Sequence, residues 1–209
     1  MSDVKHVAAI LLAAGQSKRM GAFKPLLPFG HKTVIECCLD YLEKGGVDTL
    51  VVVLGHRADE VREKLKERRV IFALNPDPNS EMGASIAAGL RALSASSAAT
   101  LIALVDQPAV PPVVISTLIE TWQQGARLIV PTWEGRGGHP VLVDLSFKPE
   151  LLNLDAAGGL RSLFDAHRHE VKRLPVNSPF IARDMDTWDD YLALHKEVTG
   201  KPAPEPPRP

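Results

Sequence analysis

Apolar and polar positions along this chain fall into continuous runs and periodic stretches that alternate almost from end to end. Val7-Ala8-Ala9-Ile10-Leu11-Leu12 is unbroken apolar sequence, the pattern of a strand buried on both faces. Thr33 and Glu36 have capping-box spacing. Val34, Ile35, Cys38, Leu39 and Leu42 then line one helical face that stops at Gly45-Gly46. Residues 47–54 read as a second buried strand, and residues 58–68 as a charged helix with Val61 and Leu65 facing inward. A short strand at 70–74 runs into the turn-rich Asn75-Pro76-Asp77-Pro78-Asn79-Ser80. Residues 83–93 carry Ile86, Leu90 and Leu93 at helical core spacing, and residues 101–105 form a strand that ends at Asp106. Pro111-Pro112 opens a helix whose apolar face is Val114, Ile115, Leu118 and Trp122.

Strands at 128–130 and 141–145 flank a glycine-rich loop, Gly135-Arg136-Gly137-Gly138. Helices follow at 160–167 and 188–198, the latter opened by Thr187 and Asp190 at capping-box spacing. Strands alternating with amphipathic helices predict an α/β fold: a single Rossmann-like domain with a mostly parallel sheet flanked by helices. Residues 201–209 are proline-rich with no periodic apolar face, so the expected division is a domain over 1–200 and a flexible tail over 201–209.

The chain has 209 residues, enough to bury a substantial core, and a net charge of −1. That balance gives no global basic field for nucleic acid or an anionic membrane. Its two cysteines, Cys37 and Cys38, are adjacent, which disfavours a disulfide between them and supplies no metal-ligand spacing. Free thiols and an N-terminal apolar run too short to cross a bilayer point to a cytoplasmic protein.

Candidate chemistry concentrates after the first strand. Leu12-Ala13-Ala14-Gly15-Gln16-Ser17-Lys18-Arg19-Met20-Gly21-Ala22-Phe23-Lys24 puts a glycine, a hydroxyl, an arginine and two lysines into one loop. Backbone N–H groups of such a turn can cradle phosphate oxygens while the cations neutralise them. The spacing fits neither the P-loop nor the dinucleotide-binding glycine pattern. Asp106, in Asp106-Gln107-Pro108, follows a strand at the position where open parallel sheets bind ligands. An isolated aspartate there is more often a cap or turn residue, but beside a cationic loop it suits Mg²⁺ held against phosphates. Asp186, read alone, precedes the Thr187 cap and would serve only the helix N-terminus. Ser85 would read a base or merely start its helix, with Gly89 allowing close packing. The glycines before His139 permit close backbone approach or loop mobility, and His139 has no ligand-spaced partner.

This loop resembles the signature of the MobA-like nucleotidyltransferases, Leu-x-Ala-Gly-x-Ser-x-Arg-Met-Gly-x-x-Lys, filled here by Leu12, Ala14-Gly15, Ser17, Arg19-Met20-Gly21 and Lys24. Asp106-Gln107-Pro108, Asn75 with Gly83-Ala84-Ser85, Gly138-His139-Pro140-Val141 and Asp184-Met185-Asp186-Thr187 are similar to further motifs of that family, in the same order. The resemblance implies that Leu12, Ala13, Ala14, Gly15, Ser17, Asn75 and Ser85 hold a nucleotide. It implies that Arg19 and Lys24 grip its phosphates, that Asp106 and Asp186 hold Mg²⁺, and that His139 and Arg161 meet the acceptor. Ala14 stands where the guanylyl branch usually has glycine, and its methyl narrows the base site toward a pyrimidine. The implied substrates are CTP and the phosphate of the molybdenum cofactor, with a molybdenum hydroxylase as a transient partner. Guanylyl transfer, another phosphorylated acceptor and a non-catalytic delivery protein stay open. Ala156-Ala157 stands where relatives that handle the cofactor often carry Gly-Asp, which leaves the acceptor open too.

Overall fold

The computed structural model describes residues 6–17, 19–77, 81–155 and 158–204, and the first apolar run lies within strand β1 (His6–Ala13). A small separate hairpin, β2 (Pro28–Phe29) with β3 (Lys32–Thr33), precedes helix α1 (Val34–Lys44). The alternation continues through β4 (Thr49–Leu54), α2 (Ala58–Lys64), β5 (Ile71–Leu74), α3 (Met82–Ala92), β6 (Ser97–Leu104) and α4 (Pro112–Gln123). The second half holds β7 (Leu128–Trp133), β8 (Arg136–Gly137), β9 (Val141–Asp144) and α5 (Lys148–Leu152). It closes with α6 (Gly159–Ala166), β10 (Val171–Pro175) and α7 (Trp188–Thr199).

The main sheet runs in the order β10-β7-β9-β6-β1-β4-β5, with β8 paired onto β7. β1 is central and parallel to both β6 and β4. β5 and β10 extend the two edges in the same sense, while β9 is antiparallel between β6 and β7. The expected single α/β domain with a mostly parallel sheet is thus the observed one. Because β1, β4, β6 and β7 all point the same way, their carboxyl ends share one edge of the sheet, where ligands bind in such folds.

β1 is apolar on both faces because both are covered. Ala9, Leu11 and Ala13 pack toward α1 and α4, and Ala8 and Ile10 toward α3. Both predicted capping boxes form: the Thr33 amide donates to Glu36 Oε2 at 2.8 Å, and the Thr187 amide to Asp190 Oδ2 at 2.8 Å. Gly89 lets α3 lie close on the sheet, since a methyl there would come within 2.5 Å of Ile10 Cγ2. α2 ends at Lys64 rather than 68, where the chain turns into β5, and Val61 and Leu65 are buried as expected.

The expected loop over residues 135–138 is instead largely a hairpin. Glu134 and Gly135 both have positive φ, 48° and 79°, the geometry of a two-residue turn that matches strand twist. The Gly138 amide then donates to the Pro131 carbonyl at 3.0 Å, and the His139 amide to the Ile181 carbonyl at 2.7 Å. These bonds pin the segment, and Gly138 serves close backbone approach rather than loop mobility, since a methyl there would come within 2.0 Å of the Ile181 carbonyl oxygen. α5, β10 and the β2–β3 hairpin have no counterpart in the sequence reading.

Candidate active site

The signature loop closes on itself through Ser17. Its backbone is left-handed, with φ of 53°, and its carbonyl accepts from the amides of Met20 and Gly21, each at 3.2 Å. Its hydroxyl accepts from the Lys24 amide at 3.2 Å, so Ser17 sets the loop's shape and aims Lys24. Lys18 lies outside the described residues. Leu12 is half-buried and Ala13 is packed into the core with 1% exposure, which leaves Ala13 only its backbone to offer a ligand. Ala14 is half-buried with its carbonyl and methyl against Gly55, and Gly15 is exposed.

Two carboxylates from distant parts of the chain converge on the buried end of Lys24. Its ammonium donates to Asp186 Oδ1 at 2.8 Å and to Asp106 Oδ2 at 3.4 Å, while Arg19 reaches Asp186 Oδ2 at 2.9 Å. The backbone ties the two acidic segments together, because the Met185 amide donates to the Asp106 carbonyl at 3.0 Å. Gln107 adds a second tie, its Nε2 donating to Asp184 Oδ1 at 2.7 Å. Burial pushes the Asp106 carboxyl above the usual range, Lys24 opposes this, and Asp184 and Asp186 add to it. The Lys24 hydrogen bond holds Asp186 below that range, with Arg19 assisting.

Two carboxylates converging on one ammonium make a place for a compact cation. Among the described residues no group of three or more protein ligands could hold a metal by itself. The pair therefore fits Mg²⁺ or a similar ion that takes one or two carboxylates and completes its shell with phosphates and water. Asp106 and Asp186 are the residues that would hold it.

Asn75 and Ser85, both buried, meet each other: Asn75 Nδ2 donates to Ser85 Oγ at 2.8 Å. Asn75 also lines a cavity of about 440 Å³ with Gly83 and Ala84 of α3. His139 and Arg161 share a different cavity, of about 490 Å³, between the sheet and α6. His139 Nδ1 lies 3.1 Å from the Ile102 carbonyl, which fixes the proton on Nδ1 and leaves Nε2 an acceptor in the neutral ring. Arg161 is exposed and pairs with Asp165 at 3.5 Å. Ala156-Ala157 lies outside the described residues. Sequence reasoning missed Gln107, hidden in the variable slot of its motif, and it missed Arg173, which lines the same cavity as His139.

The MobA-like NTP transferase domain matches residues 9–171, most of the chain. This chain belongs to that family. A relative in Paenarthrobacter nicotinovorans named nicotine blue oxidoreductase is 33% identical over 92% of this chain and 98% of its own. The molybdenum cofactor cytidylyltransferase of Escherichia coli K12 is 24% identical over 92% and 97%. A probable molybdenum cofactor guanylyltransferase of Mycobacterium avium is 28% identical over 93% and 98%. A Mycobacterium tuberculosis H37Rv protein solved in complex with manganese superposes with a TM-score of 0.79 at 26% identity, covering 92% of this chain and 98% of that one. The MobA-like fold thus supports more than one named chemistry, and the carboxylate–lysine cluster is what this chain brings to it. No helix among the described residues is long and apolar enough to cross a membrane.

His139 gives this site a pH signature. Burial lowers its pKa against the pull of the Ile102 carbonyl, Asp184 and Asp106, so the folded ring resists protonation. The unfolded chain takes up that proton first, so stability falls as pH drops through about 6.5 toward the folded pKa. His139→Gln is expected to lose less melting temperature than wild type between pH 7.5 and pH 5.5, read by thermal denaturation. Equal losses would remove His139 from the acid response.

Proposed function

We propose that this chain transfers a cytidylyl group from CTP to the phosphate of the molybdenum cofactor. An oxygen of the acceptor phosphate attacks the α-phosphorus, and the bond to the bridging oxygen breaks. Pyrophosphate leaves with the electron pair. An ionised phosphate is already a nucleophile, so what the protein must supply is alignment and charge. The observation that carries this reading is the Lys24 ammonium held by Asp106 and Asp186, with Arg19 beside it, at the carboxyl edge of the sheet. Arg19, mostly exposed, would exchange its ion pair with Asp186 for the outer phosphates, and Lys24 faces the charge that grows at the α-phosphate. Asp106 and Asp186 would hold a divalent cation, Mg²⁺ being the expected one, which neutralises phosphate oxygens when bound. Residues 12–15 with Asn75 and Ser85 form the nucleotide half, and His139 and Arg161 the acceptor half. A molybdenum hydroxylase that takes the product is the expected transient partner.

Pyrophosphate release from a panel of nucleoside triphosphates, with and without the molybdenum cofactor, tests the proposal. Release that needs both CTP and the cofactor supports it. The cofactor bound with no release would instead fit delivery, and a redox change of nicotine blue would fit the chemistry in the oxidoreductase relative's name.

CTP preference rests on Ala14. One methyl discriminates by about 1–3 kcal/mol, so selectivity is expected to be incomplete. Ala14→Gly should narrow the CTP-over-GTP ratio of kcat/KM by about 10-fold or more. A wild-type preference for GTP would move the chain to the guanylyl branch.

A further inference from the structure

The cavity under α6 has two unlike ends. At one end His139 Nδ1 lies 3.1 Å from the carbonyl of Ile102 on β6, the strand that leads to Asp106. Its floor and wall are apolar, with Val130 and Val141 on the sheet and Phe164 on α6. At the other end stands Arg173 on the edge strand β10, paired in register with Val130 of β7. Register partners in a parallel pair share a face, so Arg173 and Val130 both present their side chains to α6. Among the described residues no ion pair holds Arg173, while Asp165, which also lines the cavity, is paired with Arg161 at 3.5 Å.

β10 and β6 are separated by β7 and β9, three inter-strand spacings that sum to about 14 Å. Asp106 continues β6, so Arg173 stands too far to the side to touch a phosphate reacting there. A guanidinium at that distance needs a second group to bind.

We propose that Arg173 is a specificity-determining residue that recognises a second anionic group of the acceptor, at the end remote from the reacting phosphate. This rests on the cavity being the acceptor half of the site proposed above, and it narrows the acceptor class. The substrate is a phosphorylated molecule with a flat, largely apolar body over Val130 and against Phe164. Its far end carries a second phosphate, a carboxylate or an anionic metal–oxygen group. Arginine suits this task because its planar fork binds such groups with two parallel hydrogen bonds.

The test compares wild type, Arg173→Ala and Arg173→Lys on three acceptors with saturating CTP. These are the molybdenum cofactor, its metal-free dithiolene form, and a pterin alcohol monophosphate with no second charged group. Arg173→Ala is expected to raise KM by about 10-fold or more for acceptors with two charged ends and less than about 2-fold for the monophosphate. The KM for CTP and the melting temperature should hold, and Arg173→Lys should keep part of the preference. Comparing the two pterin dithiolenes shows whether the second charge is the metal group. An equal effect on all three acceptors, or none on any, overturns the proposal. If wild type uses no pterin, it is the cofactor reading that fails. Calorimetric binding of naphthalene-2,6-diyl bisphosphate against 2-naphthyl phosphate then decides this inference: an Arg173-dependent preference for the bisphosphate sustains it, and binding absent in wild type or unchanged in Arg173→Ala overturns it.

Discussion

Asp106→Asn is expected to lower turnover by about 10²–10³-fold while leaving the melting temperature unchanged or slightly higher. The loss follows from position: the carboxylate lies in the turn just after β6 at the ligand edge of the sheet and shares Lys24 with Asp186. The stability expectation follows from its charge. Burial raises the pKa of Asp106, Lys24 lowers it, and Asp184 and Asp186 raise it again, with a net upward shift. A carboxyl raised in the folded state stabilises below its unfolded pKa, about 3.9, and loses that contribution as pH climbs through the folded value. At neutral pH the ionised group is therefore a cost to the fold, which a neutral amide removes. Lys24 keeps its shorter bond to Asp186 in the variant, so the cluster retains one ion pair. Steady-state turnover and thermal denaturation of the same preparation check both halves. Near-normal turnover in the folded variant would take Asp106 out of the reaction.

What the sequence made legible was chemistry that is local. The run through residues 7–12 needs only its own side chains to declare a doubly covered strand. The two capping boxes need only four consecutive residues each, and both form as read. The signature loop was legible as cationic, but not which cation lies deep. Lys24 finds its carboxylates 82 and 162 residues away, and no spacing rule reports on pairs that the sheet alone brings together. Arg19, whose planar fork is the better phosphate binder by type, is the exposed one. β10 escaped notice because Val171-Lys172-Arg173-Leu174-Pro175 is an edge strand, charged and closed by proline, with too few apolar positions to show a period. The same obscurity hid Arg173, whose meaning comes from its register with Val130 and not from any neighbour in sequence. Ser17 is, by the family resemblance, one of the residues that hold the nucleotide. Its hydroxyl and carbonyl are also occupied in closing the loop, a role that only the backbone geometry reveals.

Lys24→Met should separate catalysis, stability and cation affinity more sharply than any other single change. Turnover is expected to fall by about 10²–10³-fold, since a charge aimed at the reacting phosphate is lost. Unlike an ordinary surface lysine, Lys24 is only 8% exposed, and removing it leaves Asp106 and Asp186 facing one another without a shared cation. A cost of about 1–3 kcal/mol at neutral pH follows from stranding a partly buried acceptor. The sign with pH is fixed by Asp186, whose pKa Lys24 depresses. That contribution is present above the unfolded carboxylate pKa near 3.9 and disappears as pH falls through the folded value. Wild type and variant should therefore converge in stability in strong acid. Arg19→Met is the contrast: a side chain 77% exposed in an ion pair with Asp186 should cost under about 0.5 kcal/mol while still lowering turnover. Cation affinity moves the other way. With its ammonium gone, the carboxylate pair should bind Mn²⁺ more tightly than wild type in the absence of nucleotide, read by the loss of the free-ion electron paramagnetic resonance signal. A Lys24→Met protein with wild-type turnover would break the link between this lysine and phosphate chemistry. One with wild-type Mn²⁺ affinity would mean that Asp106 and Asp186 do not form the cation site, because two carboxylates released from an ammonium cannot leave their hold on a competing cation unchanged.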